Sequence, residues 1–251
     1  MQLIKNLAIG SMLLSHFFAI SQSKEKNWSG DKKNVVKLNF SALAIKNISL
    51  QYERQVSHKS SVALNVHALP FGKAPFRSII KNIVDNQDAK IDQLKVGIFG
   101  VAPEYRFYLG KNGAFHGLYL GPFISYNSYK TDLPISYDYG SGTNTGIFSG
   151  KINAYTAGLQ LGAQWKLSKS IFLDWWIIGP NIGTGSGKSV YTSNLSYLEQ
   201  AGLSIELQQL KDDVPYHLIK SYSVGPEGAV INIKGPWAGV RGLGFNFGFN
   251  F

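Results

Sequence analysis

Gly242-Leu243-Gly244-Phe245-Asn246-Phe247-Gly248-Phe249-Asn250-Phe251 closes the chain, and its reading decides the fold. The odd positions are Leu243, Phe245, Phe247, Phe249 and Phe251, while the even positions are glycine or asparagine. Successive side chains of a strand point to opposite faces. This segment therefore reads as a strand with a phenylalanine wall on one face and small polar groups on the other.

The same split recurs upstream. Val36, Leu38 and Phe40 oppose Lys37, Asn39 and Ser41, and Ile48, Leu50 and Tyr52 oppose Ser49, Gln51 and Glu53, the two strands being joined at Lys46-Asn47. Val62, Leu64 and Val66 oppose Ala63, Asn65 and His67. Val101, Pro103, Tyr105 and Phe107 oppose Gly100, Ala102, Glu104 and Arg106. Two more alternating strands follow at 118–127 and 155–166, and Ile171 to Ile178 is apolar on both faces apart from Asp174. The total is about eight strands, an even number, several of them reaching the roughly 9 to 11 residues that a tilted membrane strand requires.

Connections alternate in length. Short links lie at Ser57 to Lys59, Gly110 to His116 and Ser168 to Ser170, and long ones at 71–95, 131–151 and 181–238. With the N-terminus in the periplasm, every short link falls on that side and the long ones fall outside, which is the arrangement of bacterial outer-membrane barrels. Only the first outer link, near Ile45 to Asn47, is short.

Composition agrees. Charged residues are 16% and aromatic ones 13% of 251, with 27 glycines; soluble domains carry roughly 25% charge. Zero cysteines exclude a disulfide framework, a thiol nucleophile and a lipidated cysteine. Met1 to Ser21 sets Lys5 before an apolar run from Leu7 to Ile20, with Ala19 and Ser21 at cleavage spacing, and reads as a signal peptide. A periplasmic tail over 22–33 follows, and 34–251 forms the barrel.

A soluble barrel of the lipocalin type has a similar strand count with its apolar face inward. An eight-stranded lumen is only wide enough for side chains to fill it, so the small polar face belongs inside and the phenylalanine face in lipid. Tyr52, Tyr105, Trp165 and Trp175, near strand ends, suit interfacial girdles. The expected fold is all-β, an eight-stranded antiparallel transmembrane up-and-down barrel with short helices in its extracellular loops.

Residues 34–251 resemble the small eight-stranded barrels of the outer-membrane-protein-A-like class. More narrowly, Val36-Lys37-Leu38-Asn39 through Ile48-Ser49-Leu50-Gln51-Tyr52-Glu53-Arg54, Pro103-Glu104-Tyr105-Arg106-Phe107-Tyr108 and Gly121-Pro122 look like a Gram-negative barrel family catalogued as a domain of unknown function. The resemblance implies a fold and a location in the cell outer membrane, and no activity. It also makes the terminal Phe251 the aromatic signal that such proteins present to the barrel-assembly machinery. A periplasmic peptidoglycan-binding domain, present in longer relatives, is not expected after the last strand.

Projected inward, Lys37, Glu53, Glu104, Arg106, Lys166 and Asp174 fall in the periplasmic half of the lumen. Buried charges are tolerated when paired, so these six predict a salt-bridged plug; the sharper alternative is a gate for small ions. Gly183-Thr184-Gly185-Ser186-Gly187-Lys188-Ser189 imitates a phosphate loop, but the motif needs glycine where Ile182 stands, and the stretch reads as a flexible outer loop. No cofactor or metal site is expected. His67 in the lumen and His217 with Asp212 and Asp213 in the last loop are the only lead toward a lipid A-modifying enzyme, and no spacing identifies a triad.

The loops are the most informative functional feature. Phe76, Ile79, Ile80 and Ile83 stand at helical spacing with Arg77 and Lys81 on the other face, and Leu195, Leu198, Leu203, Leu207 and Leu210 repeat the pattern. Each predicts a short amphipathic helix, which either caps the barrel mouth or docks another outer-membrane protein or ligand. Ala229 to Ile233 is the expected strand of an extra hairpin. The formal charge of +10 lies partly in Lys24, Lys26, Lys32, Lys33, Lys59, Lys111 and Lys169, on the tail and short turns. They would face lipid phosphates rather than nucleic acid. Expected partners are thus outer-membrane lipid, lipopolysaccharide, the assembly machinery and an outer-membrane protein at the loops. The expected role is structural or partner-binding rather than catalytic.

Overall fold

The computed structural model describes residues 32–83, 89–139 and 142–251; the signal peptide and most of the tail expected from the sequence lie outside these residues. Nine strands follow one another as β1 (Asn34–Asn39), β2 (Ile48–Ser57), β3 (Ser60–Lys73), β4 (Lys95–Tyr108), β5 (Gly117–Tyr139), β6 (Gly142–Lys166), β7 (Ile171–Thr192), β8 (Ile219–Gly225) and β9 (Gly228–Asn250). Three helices interrupt them: α1 (Phe40–Leu43), α2 (Arg77–Ile83) and α3 (Tyr197–Asp213).

Eight strands form the ring, each antiparallel to its neighbours. It closes where β1 meets β9, in register from Val35 opposite Asn250 to Asn39 opposite Asn246. β8 stands outside the ring and pairs only with the start of β9, making the extra hairpin that the sequence placed at Ala229 to Ile233. The links Ser57 to Ser60, Tyr108 to Gly117 and Lys166 to Ile171 lie at the end where β1 begins and β9 finishes, hereafter the base.

The faces sort as the alternation requires. Val36, Leu50, Tyr52, Leu64, Phe107, Ile124, Phe245, Phe247 and Phe249 are exposed on the outer wall, whereas Lys37, Gln51, Glu53, Arg106, Gln160, Gln164, Asp174 and Asn246 are buried inside it. A ring with a buried polar interior and an exposed apolar exterior is built for lipid rather than water.

Two sequence readings are corrected at the far end. The stretch 131–151 is not a loop: β5 and β6 continue as a paired hairpin from Thr131 opposite Gly150 to Tyr139 opposite Gly142. The stretch 181–238 is likewise half strand, since β7 runs on to Thr192 and β9 begins at Gly228. These extensions are rich in Gly, Ser, Thr and Asn, so the apolar-polar contrast that marks a membrane strand fades. Gly183 to Ser189, read as a flexible loop, is a segment of β7 paired with β6 and β9. A Cβ on Gly183 would press on the β6 backbone at Tyr155 and Thr156, so close strand approach accounts for the glycine there.

Candidate functional site

The lumen is filled in layers from the base upward. The first is the Tyr108–Gly117 link, which folds back into the barrel. Gly113 takes φ +80° and Phe115 φ +68°, and the Ala114 amide donates to the His58 carbonyl at 2.6 Å. This turn buries Phe115 among Val35, Tyr108, Tyr119, Phe172 and Trp176. Its ring meets Phe172 edge-on at 5.7 Å and Tyr108 at 6.3 Å. Edge-to-face contacts of this kind add roughly 0.5–1.5 kcal/mol each beyond area burial. The sequence reading of a plain short turn missed this plug.

Above it lies a charge network. Lys37 pairs with Glu53 and, at 2.6 Å, with Asp174. Arg106 reaches Glu104 and Asp174 at 2.8 Å each and Glu53 at 3.2 Å. All of these side chains are fully buried apart from the small accessibility of Glu104 as a residue. Neutral groups complete the set: Tyr108 donates to Glu53 at 2.6 Å, Tyr119 to Asp174 at 2.9 Å, and Gln164 Oε1 accepts from Lys37 and Tyr108 at 2.8 Å. Ser61 donates to Glu53, and Gln51 Oε1 accepts from Arg106 at 3.0 Å. The guanidinium of Arg106 lies 4.3 Å over the Tyr119 ring. Paired and hydrogen-bonded in this way, ions are tolerated where isolated ones are not.

Five of the six charges projected inward from the sequence thus meet in one network. The sixth, Lys166, stands partly exposed at the base, 5.7 Å over the Phe172 ring. Its place is taken by a residue that the sequence reading did not consider. Arg241 donates to Glu104 at 2.7 Å and lies between Trp176 and Phe123, at 4.0 and 5.0 Å from their rings. The cause is local. β6 and β7 slip register beside Leu161 and Gly162, so Ile177 is an extra residue in β7; Leu243, opposite it in β9, takes φ +54°. Below these positions the even residues of β7 and β9 face inward, and above them the odd ones do. With Arg241 the network holds three cations and three anions.

The third layer is a cavity of about 420 Å³ above Trp176, Arg241 and Phe123. Its walls mix apolar and aromatic surface with polar groups, among them Asn39, Ser49, Asn65, His67, Ser125, Asn127 and Asn181. His67 Nδ1 lies 3.3 Å from Asn65 Oδ1. His217 sits far away in a short turn after α3, and Asp212 accepts from Gln208 at 2.9 Å. Among the described residues no hydrogen bond joins His67 or His217 to a carboxylate, so the enzyme reading gains no assembled acid, base and nucleophile.

Beyond the cavity, the extensions of β5, β6, β7 and β9 with β8 make an outer sheet. α3 starts on a reciprocal cap, in which the Ser196 amide donates to Glu199 at 2.7 Å and the Glu199 amide to Ser196. Leu207 is buried against Ile219, Ala229 and Ile231, with Leu203 beside it. The leucine stripe expected from the sequence divides: Leu195 is buried just before the helix, while Leu198 and Leu210 are exposed, as are Tyr197 and Ile205. Apolar groups therefore occupy two faces of α3, one on the sheet and one in solvent. Phe76, just before α2, and Ile79 on it are exposed and Ile80 is half-buried; the Ile83 side chain lies outside the described residues. Lys81 donates to Asp92 at 2.9 Å, and this bond and charge hold the Asp92 carboxyl below its ordinary value. At the base, the Phe251 amide donates to the Asn34 carbonyl at 3.1 Å, tying the last residue to β1.

An eight-stranded ring with an apolar exterior and a salt-bridged interior defines a small barrel of the outer-membrane type. The chain belongs to the family described as protein of unknown function (DUF3575), which matches residues 12–197. No curated protein matches it. Among solved structures, it is similar to the N-terminal β-barrel domain of Pseudomonas aeruginosa OprF, with 10% identity and a TM-score of 0.25 over 89% of this chain and 100% of that one.

Proposed function

We propose that this protein resides in the outer membrane of a Gram-negative cell as a non-conducting barrel, and that its outer sheet with α3 holds a protein partner at the surface. The observation that supports this reading is the pairing of a side-chain-filled base with a large outer platform: the plug and the charge network occupy the base, while the sheet and α3 extend well past the length a membrane needs. The exposed Leu198 and Ile205 give the platform an apolar contact face, and apolar groups at the centre of a patch dominate most protein interfaces.

Fractionation tests the location, with the protein expected in the outer-membrane fraction and its gel mobility shifting on boiling. Planar bilayers test the closure, with no steps above background expected. A photo-crosslinking residue at Ile205, activated in whole cells, is expected to give one discrete protein adduct. Adducts to lipopolysaccharide alone would overturn the partner reading, and ion conductance by the purified barrel would overturn the closed lumen.

A further inference from the structure

The ring does not close at every height. β1 ends at Asn39 and β2 begins at Ile48, whereas β3 continues to Lys73 on one side and β9 reaches down from Gly228 on the other. Toward β1, the β9 edge is paired by β8 as far as Ile233 and by β1 from Asn246 onward. Between these, the Lys234 amide donates to the Leu218 carbonyl and the Phe245 amide to Ser41 Oγ at 3.0 Å. Among the described residues no strand pairs with that edge from Pro236 to Gly244. The wall therefore has a notch, bounded by β3 and β9, with α1 and the following turn as its sill.

The cavity described above lies at this notch. Sill residues Ser41, Ala42, Ile45 and Asn47 line it together with lumen residues, and so do Val240, Gly242, Leu243 and Gly244 of the open edge. Its height follows from β2, whose 10 residues run from the base to the sill. That is about the span of the hydrocarbon layer for a tilted strand, so the notch opens where lipid headgroups begin. Outside it the wall is apolar: Leu243 is 77% exposed, Ile182 73% and Val240 70%.

The chemistry inside selects a headgroup. Arg241 is the one charged residue lining the cavity, and Glu104 already neutralises it at 2.7 Å. A charged group entering this space, whether a net ion or one end of a zwitterion, would lose its hydration with no free counterion in the wall to replace it. The remaining polar lining consists mainly of amides and hydroxyls, which offer donors and acceptors side by side. A hydroxyl both donates and accepts and so suits either end of an amide. Trp237 and Tyr129, with ring centroids 5.3 Å apart, supply aromatic surface in the same cavity. A volume of about 420 Å³ falls within the roughly 300–1,000 Å³ typical of small-molecule sites. The buried atoms of the lining without a partner in the protein are Trp176 Nε1, Asn47 Oδ1, and Nε and Nη1 of Arg241, each of which a hydroxyl can satisfy.

We propose that the cavity receives the uncharged, hydroxyl-rich headgroup of an amphiphile through the notch, its alkyl chain lying outside on Ile182, Val240 and Leu243. The inference rests on the membrane-barrel reading. Protein refolded in lauryldimethylamine oxide, with heat-modifiable mobility verified, would be titrated with dodecyl maltoside, dodecylphosphocholine or free maltose while tryptophan emission is followed, since Trp176 and Trp237 line the site.

Dodecyl maltoside is expected to give a saturable change that dodecylphosphocholine does not, and maltose to bind at least about ten-fold more weakly because it leaves the outer wall uncovered. Gly239→Leu, which projects into the cavity beside Asn181, should abolish the response. Ile182→Asp, on the outer wall and outside the cavity lining, should weaken only the maltoside. Equal responses to the two detergents, or an unchanged response in folded Gly239→Leu, would overturn the proposal. Equal binding of maltose and maltoside would do so too, by making a soluble sugar the ligand. Failure of the wild type to show heat-modifiable mobility would instead sink the membrane-barrel reading.

Discussion

Asp174 accepts from Lys37, Arg106 and Tyr119 at once, at 2.6, 2.8 and 2.9 Å. Asp174→Asn keeps the shape but leaves two buried cations with one anion fewer, and breaking a buried pair from one side costs roughly 3–5 kcal/mol. The variant is expected to unfold at lower urea in micelles and to lose its heat-resistant gel form at lower temperature. Lys166→Gln, on a partly exposed side chain at the base, should change the unfolding free energy in the same urea assay by less than about 0.5 kcal/mol. Gly121→Val tests the same network from the other side, because a Cβ there would strike the carboxyl of Glu104; the substitution should displace Glu104 from Arg106 and Arg241 and destabilise comparably in the same urea assay. At this scale the sequence was readable wherever alternation ran unbroken, which placed Lys37, Glu53, Glu104, Arg106 and Asp174 inside. It did not reach Arg241, because parity carried back from Phe251 would turn this residue outward and neither Ile177 nor Leu243 is a residue type that announces an extra position.

Elements were legible within the membrane and blurred beyond it. Lipid imposes the alternation that marks a membrane strand, so the barrel halves of β1 to β7 and β9 stood out, while their extensions into water did not. In the outer sheet the work falls to close strand packing and to α3. Gly183→Val would push against the β6 backbone, with its Cβ 2.7 Å from Thr156 Cα. Gel mobility of the barrel is expected to persist in that variant while proteases gain access between β6 and β7. Leu207→Ala removes the one fully seated helix contact, and truncations of this type cost about 2–5 kcal/mol. Trypsin should then cut at Lys211 in folded protein much faster than in the wild type, with the barrel fragment surviving; equal cutting rates would mean that the helix is held by something other than the Leu207 cluster.

Seen as a whole molecule, the barrel interior is filled in successive layers, and the plug and the charge network have different origins. The charge network was foreseeable, since an eight-stranded ring must fill its interior and its inward charges have to pair. The plug was not, because a link of eight residues with a buried phenylalanine looks in sequence like any exposed turn. Barriers in series are governed by the tighter one, so opening either alone should leave the lumen closed to ions. Phe115 occupies φ +68°, a conformation that glycine adopts without strain, so Phe115→Gly removes the plug's ring while suiting its backbone. Arg106→Ser with Asp174→Asn removes one cation and one anion together and leaves the Lys37–Glu53 and Arg241–Glu104 pairs standing. Neither the plug variant nor the network variant is expected to conduct in planar bilayers, while the three substitutions combined should give small-ion steps in protein that still shows heat-modifiable mobility. Conductance from Phe115→Gly alone would assign the whole barrier to the plug, and silence from the combined variant would place a further constriction higher in the lumen, at the Trp176 and Arg241 stack that floors the cavity.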